Sequence, residues 1–328
     1  LVRIYNNLGV CFNRLQNEGG DLDKAKEYFE LALKLNPNFN KARANLASVF
    51  LNMGGKENFT KAYNISQKIW DDSDKKDPLF FQIFVWAIFH AQSSQAVIDY
   101  YEKSTEAKSL VIGNEQLLNL MGTIYFEMQR VREAEEFADL ALGLSPNSSQ
   151  NLSLKARILM GCSQKDKIIP SVFEVVPKFQ DYDEIEKAFK LLKQALEIAK
   201  NENNRFLENQ INIDILVCSV WLRQAGEAQY KSIRESVDIS RLTQTQIRQL
   251  TIQDFIVELE KRNFETAYNK LIHSPEWGNV TYKEKFRIAH IFLLQGAPEQ
   301  SKNVLKELQS WADQEKNMQF WIDMSLNE

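Results

Sequence analysis

Eight small residues recur along this chain at similar intervals, and no other feature restricts the fold as much. Ala25, Ala62, Ala96, Ala134, Ala188, Ala228, Ala267 and Ser301 follow one another at steps of 37, 34, 38, 54, 40, 39 and 34 residues. Around the first, Ala25, Phe29, Ala32 and Pro37 stand at A-x3-F-x2-A-x4-P within DKAKEYFELALKLNPN. Three- and four-residue apolar spacing is one face of a helix, and a proline beyond it cannot continue the helix. Ahead of these, Tyr5, Leu8, Gly9 and Phe12 stand at Y-x2-L-G-x2-F, the face of another helix. The 328 residues exceed the size at which one core keeps growing, so the chain splits into domains or extends as an array. Only 12 glycines and 7 prolines are available for tight turns, which argues against sandwiches and barrels and for helices joined by short loops.

Together the two spacings resemble the tetratricopeptide repeat, a two-helix unit of about 34 residues. Residues 115–148 match best, with Leu118, Met121, Gly122 and Tyr125 followed by Ala134, Ala138, Ala141 and Pro146. The last copy carries Ile288, Ala289 and Phe292, then Ser301, Leu305 and Leu308, while copies three, six and seven match fewer positions. The resemblance implies an all-α fold, an α-α superhelix of about eight helix pairs, with the first helix of each pair lining a concave face. The tail SWADQEKNMQFWIDMSLNE sets Trp311, Met318, Trp321 and Met324 near one stripe and is expected to form a capping helix.

The 54-residue step interrupts the pattern. It contains GCSQKDKIIPSVFEVVPKFQDYDE, with Pro170 and Pro177 around an apolar SVFEVV. The expected organisation is an N-terminal array over 1–162 (four repeats plus one helix), a linker or packed insert over 163–183, and a C-terminal array over 184–328. The chain starts at Leu1, not Met, already inside a helical pattern, and reads as a piece of a longer protein. Long helices such as the one expected over 205–224 occur in regulatory and sensor members of the family. A sensor arm of a larger signalling or defence protein is therefore the alternative to a free-standing interaction scaffold.

Catalytic patterns are missing from the sequence. His90, His273 and His290 are isolated, and no H-E-x-x-H, phosphate loop, G-x-S-x-G or paired C-x-x-C occurs. Acidic pairs such as Asp71-Asp72 and Glu135-Glu136 read as solvated helix faces. The expectation is a non-enzyme without cofactor or metal. A net charge of −4 and a pI near 5.7 argue against nucleic acid as a direct partner. No apolar run reaches membrane-spanning length. Cys11, Cys162 and Cys218 are far apart and sit in apolar helical runs, which suits a soluble protein of the cytoplasm or nucleus.

The expected partner is a protein or peptide, with the protein itself a candidate member of a larger complex. On the first helix of copy one, Arg3, Asn7, Val10 and Arg14 share a stripe. Its equivalents are Lys41, Asn45, Ser48 and Asn52 in copy two, and Gln116, Leu120, Thr123 and Glu127 in copy four. In the family this stripe faces the groove, and some members carry there an asparagine ladder that bonds the backbone of an extended peptide. Asn7 aligns with Asn45 before Leu-Gly and Leu-Ala, Asn6 is placed at the edge, and Leu120 breaks the ladder. The alternative is that Asn7 bonds only to a neighbouring repeat. The five-residue Lys, Asn, Asn, Lys, Arg clamp of chaperone-binding members is not reproduced, because Asn45 stands where the Arg belongs. Finally, PLFFQIFVWAIFHA (78–91) is apolar all round. Phe81 and Phe84 are either buried between neighbours or form a partner patch.

Overall fold

The structure, a computed structural model, describes residues 1–14, 21–162, 182–222, 227–242, 244–274, 277–280 and 282–312. Seventeen α-helices lie among the described residues, divided between two compact units, Leu1–Pro146 and Asn147–Glu328. In the first unit, α1 (Val2–Arg14) pairs with α2 (Leu22–Leu35), α3 (Asn40–Met53) with α4 (Lys56–Asp72), and α5 (Pro78–Ala91) with α6 (Ser94–Lys103). A short α7 (Thr105–Ile112) precedes the pair α8 (Glu115–Glu127) and α9 (Val131–Leu144). In the second unit the pairs are α10 (Ser149–Cys162) with α11 (Tyr182–Asn201), α12 (Arg205–Trp221) with α13 (Glu227–Ser236), α14 (Gln244–Glu260) with α15 (Phe264–Ile272), and α16 (Tyr282–Leu294) with α17 (Pro298–Ala312). First helices also pack on first helices: α1 on α3, α3 on α5, α10 on α12 and α12 on α14.

The fold is therefore all-α and built from two-helix repeats. The expected insert at 163–183 falls almost wholly outside the described residues, as do Pro170, Pro177 and the expected capping segment beyond α17. The unit boundary falls before α10, whereas the sequence reading kept that helix with the first array; α10 packs against α11.

The recurring small residue has a structural meaning at most copies. Ala25, Ala62, Ala134, Ala188 and Ala267 are fully buried and Ser301 nearly so. Ala25, Ala134, Ala267 and Ser301 each stand fourth in their helix, where the backbone N–H bonds the carbonyl of the residue before it (Asp21, Arg130, Asn263 and Ala297). Two copies are out of register. Ala96 is half-buried because Val97 and Ile98 turn inward on α6, and Ala228 is exposed on α13. Helix α7 was not legible as a separate element. Ser104 both ends α6, its N–H reaching the Tyr100 carbonyl at 3.0 Å, and caps α7, its Oγ accepting from the Ala107 N–H at 3.1 Å.

Three within-pair turns share one closure. Gln129, Arg262 and Gly296 have φ of 58°, 60° and 78°. Each is followed by a bond from the next N–H to a carbonyl five residues back: Arg130 to Tyr125, Asn263 to Glu258 and Ala297 to Phe292. Glycine supplies the left-handed residue at only one of these three turns, so a search for glycine alone misses the other two.

Gly9 marks a close approach between helices. A Cβ built there would lie 2.7–2.8 Å from the Phe29 ring of α2. Gly9→Ala is expected to destabilise the protein by about 1–3 kcal/mol through overpacking, despite alanine's better helix propensity of about 1 kcal/mol. Chemical denaturation measures this directly, and an unchanged midpoint would show that Phe29 yields to the methyl group.

Candidate functional site

Two asparagine pairs join the first helices of the first two repeats. The Asn45 amide nitrogen donates to Asn6 Oδ1 at 2.9 Å, and the Asn52 amide nitrogen donates to Asn13 Oδ1 at 3.1 Å. Both pairs span 39 residues, and on each helix the two asparagines stand seven apart, two turns along one face. The result is a polar ladder between α1 and α3. The asparagine doublet splits in the opposite sense to the sequence reading: Asn6 is 7 % exposed and paired with Asn45, while Asn7 is exposed. A buried amide has to be hydrogen-bonded, and Asn45 supplies the donor for the Asn6 side-chain oxygen.

The other candidates fall into three groups. Arg3, Lys41, Gln116 and Glu127 are exposed, and Val10 is half-buried. Ser48 and Thr123 turn their hydroxyls back on their own helices, to the Ala44 and Asn119 carbonyls at 3.2 and 2.9 Å. Arg14 closes α1, and its side chain lies outside the described residues. Leu120 is buried on α8, so the ladder is not continued there. Gln116 instead borders a shallow hollow with Asp77, Pro78, Leu79, Gln82 and Asn114.

Phe81 and Phe84 are core residues, at 1 % and 2 % exposure, and do not form a surface patch. Phe81 packs on Trp70 at a 4.9 Å ring separation, and Phe84 meets Tyr100 edge-on at 5.2 Å. The Trp70 indole N–H donates to the Tyr100 hydroxyl at 2.7 Å, closing the cluster. A helix clamped between α4 and α6 has to be apolar on more than one side, which accounts for the all-round pattern of 78–91. His90 stacks on Phe59 at 4.8 Å and on Trp86 at 5.9 Å, and burial lowers its proton affinity.

A second polar feature, not foreseen from the sequence, runs across the first helices of the second unit. Asn151 and Ser153 on α10, Asn209, Asn212 and Asp214 on α12, and Gln246 and Gln253 on α14 are all buried. Asn209 is structural: it brackets Asp238 by bonds to its N–H and carbonyl at 3.0 and 3.3 Å. Gln246 donates to Gln210 Oε1 at 2.5 Å, and Gln210 donates to Asp214 Oδ1 at 3.2 Å. Asp214 Oδ2 and Gln253 Oε1 have no hydrogen-bond partner. Burial pushes the Asp214 carboxyl up to about 6, against the opposing pull of Arg157 and the Gln210 bond. Burial, then the Asp214 charge, also push the Cys218 thiol up. Among the described residues, no three His, Cys, Asp or Glu side chains gather as metal ligands. No described helix is long and apolar enough to cross a membrane.

A tetratricopeptide repeat family model matches residues 2–39 and 115–148. No curated protein matches the chain. Among solved structures, the apo form of RapI is 14% identical with a TM-score of 0.53, over 94% of this chain and 86% of that one. A tetratricopeptide repeat protein from Parabacteroides merdae is 12% identical with a TM-score of 0.50, over 90% and 98%. MamA is 19% identical over 62% of this chain and 94% of its own, with a TM-score of 0.39. At these identities the likeness to RapI and the Parabacteroides merdae protein speaks for the fold alone. Tetratricopeptide repeats thus account for residues 2–39 and 115–148, which hold the pairs α1–α2 and α8–α9, and the other described helices continue the two-helix arrangement.

Proposed function

We propose that the chain is a protein-interaction scaffold that holds an extended protein segment along the first helices of its repeats. Tetratricopeptide repeats serve in general as such scaffolds. The observation that carries the finer reading is the ladder Asn6–Asn45 and Asn13–Asn52. Each pair spends one donor and one acceptor, while an amide offers two of each. The remaining capacity suits the N–H and C=O groups of an extended backbone, whatever its side chains. Arg3, Asn7 and Lys41 are exposed on the same two helices and would read charge and polarity beside it. Val10, Arg14 and Ser48 complete the stripe, with Gln116, Thr123 and Glu127 further along the array. The reading assigns no catalysis, and the exposed free thiol of Cys11 suits a reducing, intracellular setting.

An end-blocked random decapeptide pool, titrated against the full chain, tests it. The double variant Asn45→Ala/Asn52→Ala is expected to weaken binding about tenfold or more, at about 1 kcal/mol per lost hydrogen bond. A melting curve run in parallel separates lost binding from lost fold. Equal affinity in variant and wild type would rule the ladder out as the contact surface.

A further inference from the structure

In the first unit α1 packs on α3 and α3 on α5, whereas α8 meets α5 through the short α7, which packs on both. Beside α7, the starts of α5 and α8 border the hollow that Gln116 lines. Its volume of about 280 Å³ lies just below the range of small-molecule pockets, about 300–1,000 Å³, and suits a single side chain. Gln116 is the α8 counterpart of Arg3 and Lys41, so the hollow opens beside the stripe that carries the proposed contact surface.

Two side chains of the lining have one end committed to their own helix. Asp77 Oδ1 accepts the Leu79 and Phe80 N–H groups at 2.9 and 3.3 Å, which leaves Oδ2 to meet another donor. Asn114 Oδ1 accepts the Leu117 N–H at 3.0 Å, which leaves the amide nitrogen to meet another acceptor. The hollow therefore has an acceptor on the α5 side and a donor on the α8 side. Gln82 is half-buried and Gln116 exposed, and either can turn its oxygen or its nitrogen inward. Leu79, 53 % exposed, adds apolar surface. A group that matches both fixed ends carries one acceptor and one donor close together, which a primary carboxamide does. A lysine head group brings donors only and gives the Asn114 nitrogen nothing to bond. A carboxylate brings acceptors only and sets its charge against that of Asp77.

We propose that this hollow receives a glutamine or asparagine side chain of the bound segment, its NH2 donating to Asp77 and its oxygen accepting from Asn114. The inference rests on the segment-binding reading above and adds a specificity to it within the first unit. Packed helices stand about 8–10 Å apart, and an extended chain advances about 3.3 Å per residue. On the order of six residues therefore separate a backbone held at Asn6–Asn45 from a side chain in the hollow.

The test uses the full chain and four end-blocked dodecapeptide pools, random except for one central position fixed as glutamine, glutamate, lysine or alanine. Contacts to the backbone let a peptide slide until the fixed residue meets the hollow, and high salt screens net charge. Wild type is expected to bind the glutamine pool about five times more tightly than each of the others. Asp77→Asn keeps the helix cap, since asparagine caps as well as aspartate, and turns the acceptor end into a donor. It is expected to bring the glutamine-to-glutamate ratio to one or below, with an unchanged melting curve. Asp71→Asn removes an exposed charge outside the hollow and is expected to leave the ratio as in wild type. Equal binding of the four pools to wild type would overturn the assignment. So would a ratio that Asp77→Asn leaves unchanged, or one that Asp71→Asn lowers as much. The segment-binding reading would survive any of these as long as the pools still lose affinity for Asn45→Ala/Asn52→Ala. If no pool binds at all, that reading fails and the hollow's specificity falls with it.

Discussion

Phe81→Asp is expected to unfold the first unit; a folded protein that has only lost a partner is not the expected outcome. Phe81 is 1 % exposed and packs on Trp70, which is itself fully buried and bonded to Tyr100. Truncating such a ring to alanine costs about 3–5 kcal/mol. Aspartate at the same place adds a buried charge with no partner, several kcal/mol more. Against a typical total stability of about 5–15 kcal/mol, the sum removes the fold. Far-UV circular dichroism with a denaturant titration decides the matter. A Phe81→Asp protein with native helicity and an unchanged midpoint would return Phe81 to the surface. Phe81→Leu keeps an apolar side chain of reduced size and is expected to lose far less.

Asp214→Asn is expected to stabilise the second unit at pH 7 and to change little at pH 4. In the folded protein the carboxyl titrates near 6, above its ordinary 3.8, because burial penalises the charge. Between these values the folded state holds a proton that the unfolded state has released. The protonated acid therefore contributes its full stability below about pH 4, loses it as pH rises through about 6, and contributes none above. The difference corresponds to about 3 kcal/mol. Asparagine resembles the neutral acid at every pH, so the variant escapes the loss. Unfolding free energies measured from pH 4 to pH 8 should diverge as pH rises, with the variant the more stable. Parallel profiles would mean that Asp214 has an ordinary proton affinity in the fold.

Much of the architecture could be read in advance. The stripe Ala25, Phe29, Ala32 and the spacing Leu8, Gly9 and Phe12 are local facts, since helical periodicity alone decides which side chains share a face. The close approach of Gly9 to Phe29 follows from them. Copies three and six were set in the wrong register because neighbouring apolar residues could also fill the inward position, and on α6 Val97 does so. The all-round apolar run at 78–91 fitted either a core helix or a patch, and the packing of α4 and α6 on either side resolved it.

The candidate sites were less legible. Aligning Leu8-Gly9 with Leu46-Ala47 matches Asn7 to Asn45, an offset of 38, whereas the contact has an offset of 39 and selects Asn6. One residue is about 100° around a helix, so a slip of one exchanges a buried rung for an exposed neighbour. The seven-residue spacing of Asn6 with Asn13 and of Asn45 with Asn52 was a readable signal for the correct pairs. Nothing local marks Asp214, because INIDILVCSV reads as an ordinary apolar helix with one acid in it.

By itself, then, the sequence determined most of the helices and their pairing, and at most copies the apolar stripe that is buried, because these depend on neighbours within a few turns. Only the tertiary structure decided which asparagines meet, that Phe81 is core, and that Asp214 is enclosed with an unmet oxygen. Those depend on the rotation and docking of whole helices against one another, which residues dozens of positions apart determine together.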